Sequence, residues 1–244
     1  MAEGGRILVK VLKEIAASVK PGIATKDLNA MARKLISYHG AEPSFLGHDG
    51  FPAAICVSVN DEVVHGVPSE RILKEGDILG LDIGIKFRGF HTDGATTLPV
   101  LGLLSEKQWQ KNNPVAFKLI NVTREALALG IKEARPGNRL GEIGHVIQRF
   151  VEKNGFNVVR DLAGHGIGRR LHEEPNVPNF GDPGEGVILE SGMVLAIEPM
   201  VTEGDWRIKK GHDGFVFITQ DGKHSAHFEH TIAITKRSPK ILTK

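Results

Sequence analysis

The sequence predicts an α+β chain built from two matched halves, and two observations predict it. The order helix, helix, strands runs twice along the chain. Within that order, Gly76-Asp77-Ile78-Leu79-Gly80-Leu81-Asp82 lines up with Gly192-Met193-Val194-Leu195-Ala196-Ile197-Glu198, each an apolar strand that ends in a carboxylate six residues after a glycine. The Pro-Gly pairs keep step with these strands: Gly22 precedes Asp82 by 60 residues and Gly137 precedes Glu198 by 61. His91-Thr92-Asp93 likewise corresponds to His227-Phe228-Glu229. Asp82 and Glu198, and Asp93 and Glu229, are therefore expected to be mates about a pseudo-twofold axis. The expected organisation is a single domain over residues 1–244, with halves at about 1–104 and 105–244.

Each element has its own signal. Ile7, Leu8, Val11, Leu12, Ile15 and Val19 form a helical stripe that Pro21-Gly22 ends. Thr25 is the expected N-cap of a second helix, in which Leu28, Met31, Leu35 and Ile36 recur at helical spacing before Gly40. Short β-branched runs at Ala53–Val59, at Ile78–Ile85 and after Thr92 read as strands. Asn113-Pro114 opens another helix, through about Leu129. Leu140, Ile143, Val146, Ile147, Phe150 and Val151 mark the next, which stops near Asn154-Gly155. Strands return at Val194–Ile197, Phe215–Ile218 and Thr231–Thr235.

Composition excludes several classes of protein. With 31 basic against 29 acidic side chains the net charge is +2, which gives nucleic acid no electrostatic hold. Cys56 is the sole cysteine, so neither a disulfide scaffold nor a cysteine-rich zinc site can form within the chain. Lys10 interrupts the first apolar run and no uncharged run approaches the ~20 residues of a membrane span. A cytoplasmic protein with no membrane contact is expected, and nothing demands more than a monomer.

Four carboxylates at the ends of apolar strands are costly to bury unless paired or bound to metal. Brought together by the pseudo-symmetry, Asp82, Asp93, Glu198 and Glu229 would repel one another, and two divalent cations would cancel their charge. An imidazole added to such oxygens suits manganese, iron, cobalt or zinc. His165 is the natural candidate, because Gly164 and Gly166 clear space on both sides of it. Two other motif readings fail here. Gly164-His165-Gly166 lacks the third glycine of a dinucleotide loop, since position 169 is arginine, and His172-Glu173 lacks the second histidine of a zincin helix.

In combination, Asn60 to Pro68, Asp82-Ile83-Gly84, His91-Thr92-Asp93, Gly164 to Pro175, Ile197-Glu198-Pro199-Met200 and Phe228-Glu229-His230-Thr231 resemble the type I methionine aminopeptidases, in the form without an amino-terminal extension. The resemblance covers essentially the whole chain. It implies the pita-bread fold, a curved antiparallel sheet with outer helices and two pseudo-symmetric halves around a dinuclear metal site. It also implies that Asp82, Asp93, His165, Glu198 and Glu229 are the ligands of two divalent ions, with Asp93 and Glu229 bridging. The implied activity is removal of the initiator methionine from nascent proteins when the second residue is small, by attack of a metal-bridging hydroxide. Glu198 would shuttle the proton, His65 would contact the scissile or leaving amide, and His172 would bind the carbonyl.

The same resemblance gives Phe51, Cys56, Leu171 and Phe215, with His65 and His172, to the methionine subsite. His48-Asp49, Leu171 and Phe215 depart from the residues common in bacterial relatives, which bears on the fit of the methionine side chain. Asn60 and Ser225 match positions that help bind a monovalent cation, sodium or potassium. A transient ribosome contact is a further expectation. Two other functions are weighed against this one: an X-Pro peptidase of the same fold, and a non-catalytic module that binds peptides or proteins.

Overall fold

The computed structural model describes residues 1–244. Both expected helix pairs form. In the first half α1 (Ala2–Ala17) buries Leu8, Val11 and Ile15, and α2 (Thr25–Tyr38) buries Leu28, Ala32 and Ile36. Each of these leucines, valines and isoleucines stabilises the fold by about 1.5–3 kcal/mol when fully buried. The first helix starts earlier than its apolar stripe, where Gly5 lets it lie directly against the Leu242 carbonyl, a place a Cβ would fill. The expected Thr25 cap is corrected. Ala24 is the N-cap, in extended conformation, and the Thr25 hydroxyl instead pairs with Ser69, donating to its C=O (3.0 Å) and accepting from its N–H (2.8 Å).

The second half repeats the plan. A short α3 (Glu106–Asn112) begins at a Ser105/Gln108 capping box. It leads into α4 (Pro114–Glu133), with Pro114 in the first turn, and α5 (Leu140–Lys153). The strands that matter for the site are β1 (Cys56–Val59), β2 (Glu62–Val64), β3 (Ile78–Phe87) and β4 (Phe90–Pro99) in the first half. Their counterparts are β5 (Ala163–Gly166), β6 (Glu173–Pro178), β7 (Val194–Ile197), β8 (Met200–Thr202), β9 (Phe217–Thr219), β10 (Ser225–His227) and β11 (His230–Ile234). β3 and β4 form a long antiparallel hairpin, and β1 lies on the other edge of β3 with Cys56 opposite Asp82. In the second half β7 runs between β11 and β5, with β6 at one edge of that sheet and the strand Pro239–Ile241 at the other.

The internal repeat is legible bond by bond. Gly22 N–H donates to Leu73 C=O (2.9 Å) and Leu73 N–H to Ile23 C=O (2.9 Å); Gly137 N–H donates to Leu189 C=O (2.9 Å) and Leu189 N–H to Asn138 C=O (2.8 Å). Gly22 and Gly137 hold φ of 88° and 93°, a left-handed backbone that favours glycine at both turns. Each half encloses its own apolar core, one around Leu8, Leu28 and Leu81, the other around Leu119, Ile147 and Leu195.

A ladder between the halves completes the frame. Glu229 N–H donates to Ala95 C=O (3.0 Å) and Ala95 N–H to Glu229 C=O (3.4 Å). On one side of this pair Thr231 Oγ1 accepts from Asp93 N–H (2.8 Å) and donates to Asp93 C=O (2.8 Å). On the other, Thr97 Oγ1 accepts from His227 N–H (2.9 Å) and donates to His227 C=O (2.8 Å). Two threonine hydroxyls thus extend the backbone ladder, and Asp93 and Glu229 are held side by side. No helix is long and apolar enough to cross a membrane.

Candidate active site

The carboxylates sit where strand alternation aims them. Asp82 on β3 and Asp93 on β4 come from neighbouring strands, Glu198 follows β7, and Glu229 precedes β11. All four line one cavity of about 630 Å³, together with His65, His165 and His172. Asp93 and Glu229 are each only 3% exposed. Ligand atoms of Asp93, His165 and Glu229 lie within 4.8 Å of one another.

So much buried negative charge is unfavourable without a cation. Burial, with the Asp93 charge next, drives the Asp82 and Glu229 carboxyls well above the usual carboxylate range. Burial also pushes Asp93 and Glu198 up to about 7, with the Glu198 charge adding to the effect on Asp93. Asp82 Oδ1 and Glu229 Oε1 are buried without a hydrogen-bond partner.

His165 sharpens the case. Its Nδ1 lies 2.8 Å from the Gly166 C=O, which can only accept, so the ring proton is on Nδ1. The Nε2 lone pair then faces Glu198 Oε1 at 3.6 Å, acceptor against acceptor. A cation between them removes the conflict. Carboxylate oxygens with one neutral imidazole suit a divalent first-row metal, so the residues present fit such an ion.

The surrounding walls are of two kinds. Phe51, Cys56 and Leu171 are buried in one apolar cluster with Phe45, Ala53 and Ile167, and Phe215 packs on it, its ring 5.5 Å from that of Phe51. Burial raises the Cys56 thiol well above its ordinary value, so it serves as wall rather than nucleophile. Val64, Met200 and Phe217 form a second apolar wall beside His65. His65 takes a left-handed backbone (φ 60°) that turns it into the cavity. Partial desolvation by the cavity walls, then neighbouring charged groups, lowers both His65 and His172 to about 4, although both residues stay open to solvent on one side, so each is neutral near pH 7.

Sequence reasoning underrated three groups. His227, which the sequence marks only as the counterpart of His91, has its Nε2 3.5 Å from Glu198 Oε2, buried without a hydrogen bond. His48, noted only as a departure in the pocket, reaches His172 at 3.2 Å. Lys210 lines the cavity next to Phe217. His91, the counterpart of His227, hydrogen-bonds Ser44 Oγ through Nδ1 (2.8 Å). Asn60 and Ser225 meet through a Ser225 N–H to Asn60 C=O bond of 2.9 Å, while their side chains are engaged by Asp77, Ile78 and Val201.

A pseudo-symmetric α+β fold closing over buried carboxylates and one imidazole is the architecture of a metal-dependent peptidase. The sequence profile of metallopeptidase family M24 matches residues 1–236, and the chain belongs to that family. Within it, the chain is 50% identical over 243 residues to the methionine aminopeptidase of Clostridium perfringens, covering all of this chain and 94% of the relative. It is 48% identical over 244 residues to methionine aminopeptidase 1 of Bacillus subtilis, covering all of this chain and 95% of that one. The crystal structure of the methionine aminopeptidase from Thermotoga maritima matches the fold with a TM-score of 0.93 at 44% identity, over all of this chain and 95% of the other.

Proposed function

We propose that the chain is a metal-dependent aminopeptidase that removes the initiator methionine from proteins whose second residue is small. The observation that carries this reading is the opposed pair His165 Nε2 and Glu198 Oε1 at 3.6 Å, set among the buried carboxylates at the floor of an apolar-walled cavity. Asp82, Asp93, His165, Glu198 and Glu229 would hold two divalent ions, drawn from manganese, iron, cobalt or zinc. When bound, such ions supply Lewis acidity that makes water nucleophilic at neutral pH and draws charge from a carbonyl.

The chain's own groups do the rest. The wall of Phe51, Cys56, Leu171 and Phe215 takes the methionine side chain out of water. The neutral His172 donates a hydrogen bond to the scissile carbonyl as its oxygen gains charge. His65 meets the amide nitrogen, and it crowds the next residue, which limits that residue to a small side chain. Glu198 receives the proton of the attacking water and returns it to the leaving amine.

The reaction is placed in the cytoplasm, on nascent amino termini met transiently at the ribosome by a monomer. A sodium or potassium ion near Asn60 and Ser225 would rest mainly on backbone carbonyls, since both side chains are engaged. The decisive assay compares Met-Ala-Ser with an X-Pro peptide, with and without a strong chelator. Methionine release that chelation abolishes and manganese, cobalt or iron restores is the expected result. Undiminished turnover in chelator, or cleavage of X-Pro peptides alone, would overturn the proposal.

A further inference from the structure

The loop Gly47–Phe51 brings a further histidine, His48, to the site. It is closed by its own backbone: Gly47 N–H donates to Phe51 C=O (2.8 Å), Phe51 N–H to His48 C=O (2.8 Å) and His48 N–H to Phe45 C=O (3.0 Å). Gly47, Asp49 and Gly50 all take positive φ, at 83°, 45° and 82°. Phe51, 7% exposed, anchors the loop in the apolar wall. His48 is thereby fixed over His172, the rings 4.9 Å apart and 72° inclined, with His48 Nε2 3.2 Å from His172 Nδ1. On its other side the His172 ring meets that of His165 at 4.5 Å.

We infer that His48 is a positioning residue that holds His172 in the tautomer carrying its proton on Nε2, so that His172 offers the substrate an N–H rather than a lone pair. Two ring nitrogens at hydrogen-bond distance need one proton between them, and either could own it. Asp49 decides. Its Oδ2 lies 3.7 Å from the same His48 Nε2, and a carboxylate beside that nitrogen favours the proton there. His48 Nε2–H therefore donates, His172 Nδ1 accepts, and the remaining ring proton of His172 sits on Nε2. No other hydrogen bond engages the His172 ring, so this one contact sets both its rotation and its tautomer.

The inference rests on the reading of His172 as the group facing the scissile carbonyl. Its test separates the two. Long-range proton–nitrogen NMR spectra of the ¹⁵N-histidine-labelled, zinc-loaded full chain report which nitrogen of His172 bears the proton, whatever the turnover. The signal is assigned by its loss in His172→Gln. The expected pattern is Nε2–H in the parent chain and Nδ1–H in His48→Glu, whose carboxylate can only accept from His172. Methionine-peptide kinetics accompany the spectra. His48→Ala and His48→Glu should lower kcat about tenfold, the low end of what loss of an orienting partner costs, with a smaller change in KM. His48→Gln, whose amide can donate in place of the imidazole, should recover most of that loss. An Nδ1–H tautomer in the parent chain, or an unchanged tautomer in His48→Glu, overturns the inference. Absence of methionine release by the parent chain would instead sink the proposed activity and leave the tautomer to be judged by the spectra.

Discussion

Replacing Thr231 by valine keeps the shape of the side chain and deletes one oxygen. That oxygen is fully buried and makes two 2.8 Å hydrogen bonds to Asp93, one accepted from its N–H and one donated to its C=O. Both backbone groups of Asp93 lose their partner in the variant. At about 1–3 kcal/mol for each stranded buried group, the loss is about 2–6 kcal/mol, and about 3 after local relaxation. For a chain of this length each kcal/mol moves the melting temperature by about 2–4 °C, so a drop of about 6–12 °C is expected. Asp93 would also lose the contact that aims its carboxylate, which predicts a metal affinity about 10–100-fold weaker. Calorimetry of the chelated chain reads the first effect and manganese titration the second. Thr231→Ser, which keeps the oxygen, should recover most of both. A Thr231→Val chain that melts within 2 °C of the parent and binds manganese equally well would refute the reasoning.

Metal itself should stabilise the fold: at a free concentration 100 times Kd the gain is about 2.7 kcal/mol, and melting curves that coincide with and without manganese would contradict a site among these carboxylates. Asp93→Ala should abolish methionine release while leaving the circular dichroism spectrum of the fold; retained turnover would remove Asp93 from the site. His172 is pushed down to about 4, so its neutral form prevails at every pH above that and it should add no inflection to kcat between about pH 5.5 and 8; an inflection in that window that vanishes in His172→Gln would count against the assignment. Phe215→Ala takes one aromatic face from the wall and should raise KM for methionine peptides about tenfold with a small change in kcat; unaltered KM would place the side chain elsewhere.

The carboxylates were readable from the sequence because strand periodicity leaves Asp82 and Glu198 at the ends of otherwise apolar runs, where only paired or metal-bound charge survives. The Pro-Gly turns were readable because Gly22 and Gly137 occupy backbone that other residues strain to adopt. β5 and β6 were not. Gly164-His165-Gly166 has no β-branched residue to mark a strand, and it is one because the glycines permit contact: a Cβ on Gly164 would lie 2.3 Å from the Ala196 carbonyl oxygen, and one on Gly166 2.2 Å from that of Glu174. The clamps by Thr97 and Thr231 were equally hidden, since they depend on the register between halves that are far apart in sequence. His227 shows the same limit at a single side chain. Its spacing from Glu229 was plain, but its approach to Glu198 follows from the pairing of β10 with β8, which sets His227 opposite Met200, two residues past Glu198.

The inter-half ladder has a kinetic consequence. The clamps join residues 138 and 130 positions apart, so closing them costs more chain entropy than any hairpin in the protein and is expected late in folding. Asp93 and Glu229 become neighbours only at that step. A chain with both cores formed but the ladder open would have native helices and no place for metal. The capacity to bind metal and the completion of folding are then gained in one event, and the rate at which the protein becomes able to bind manganese measures the docking of its halves.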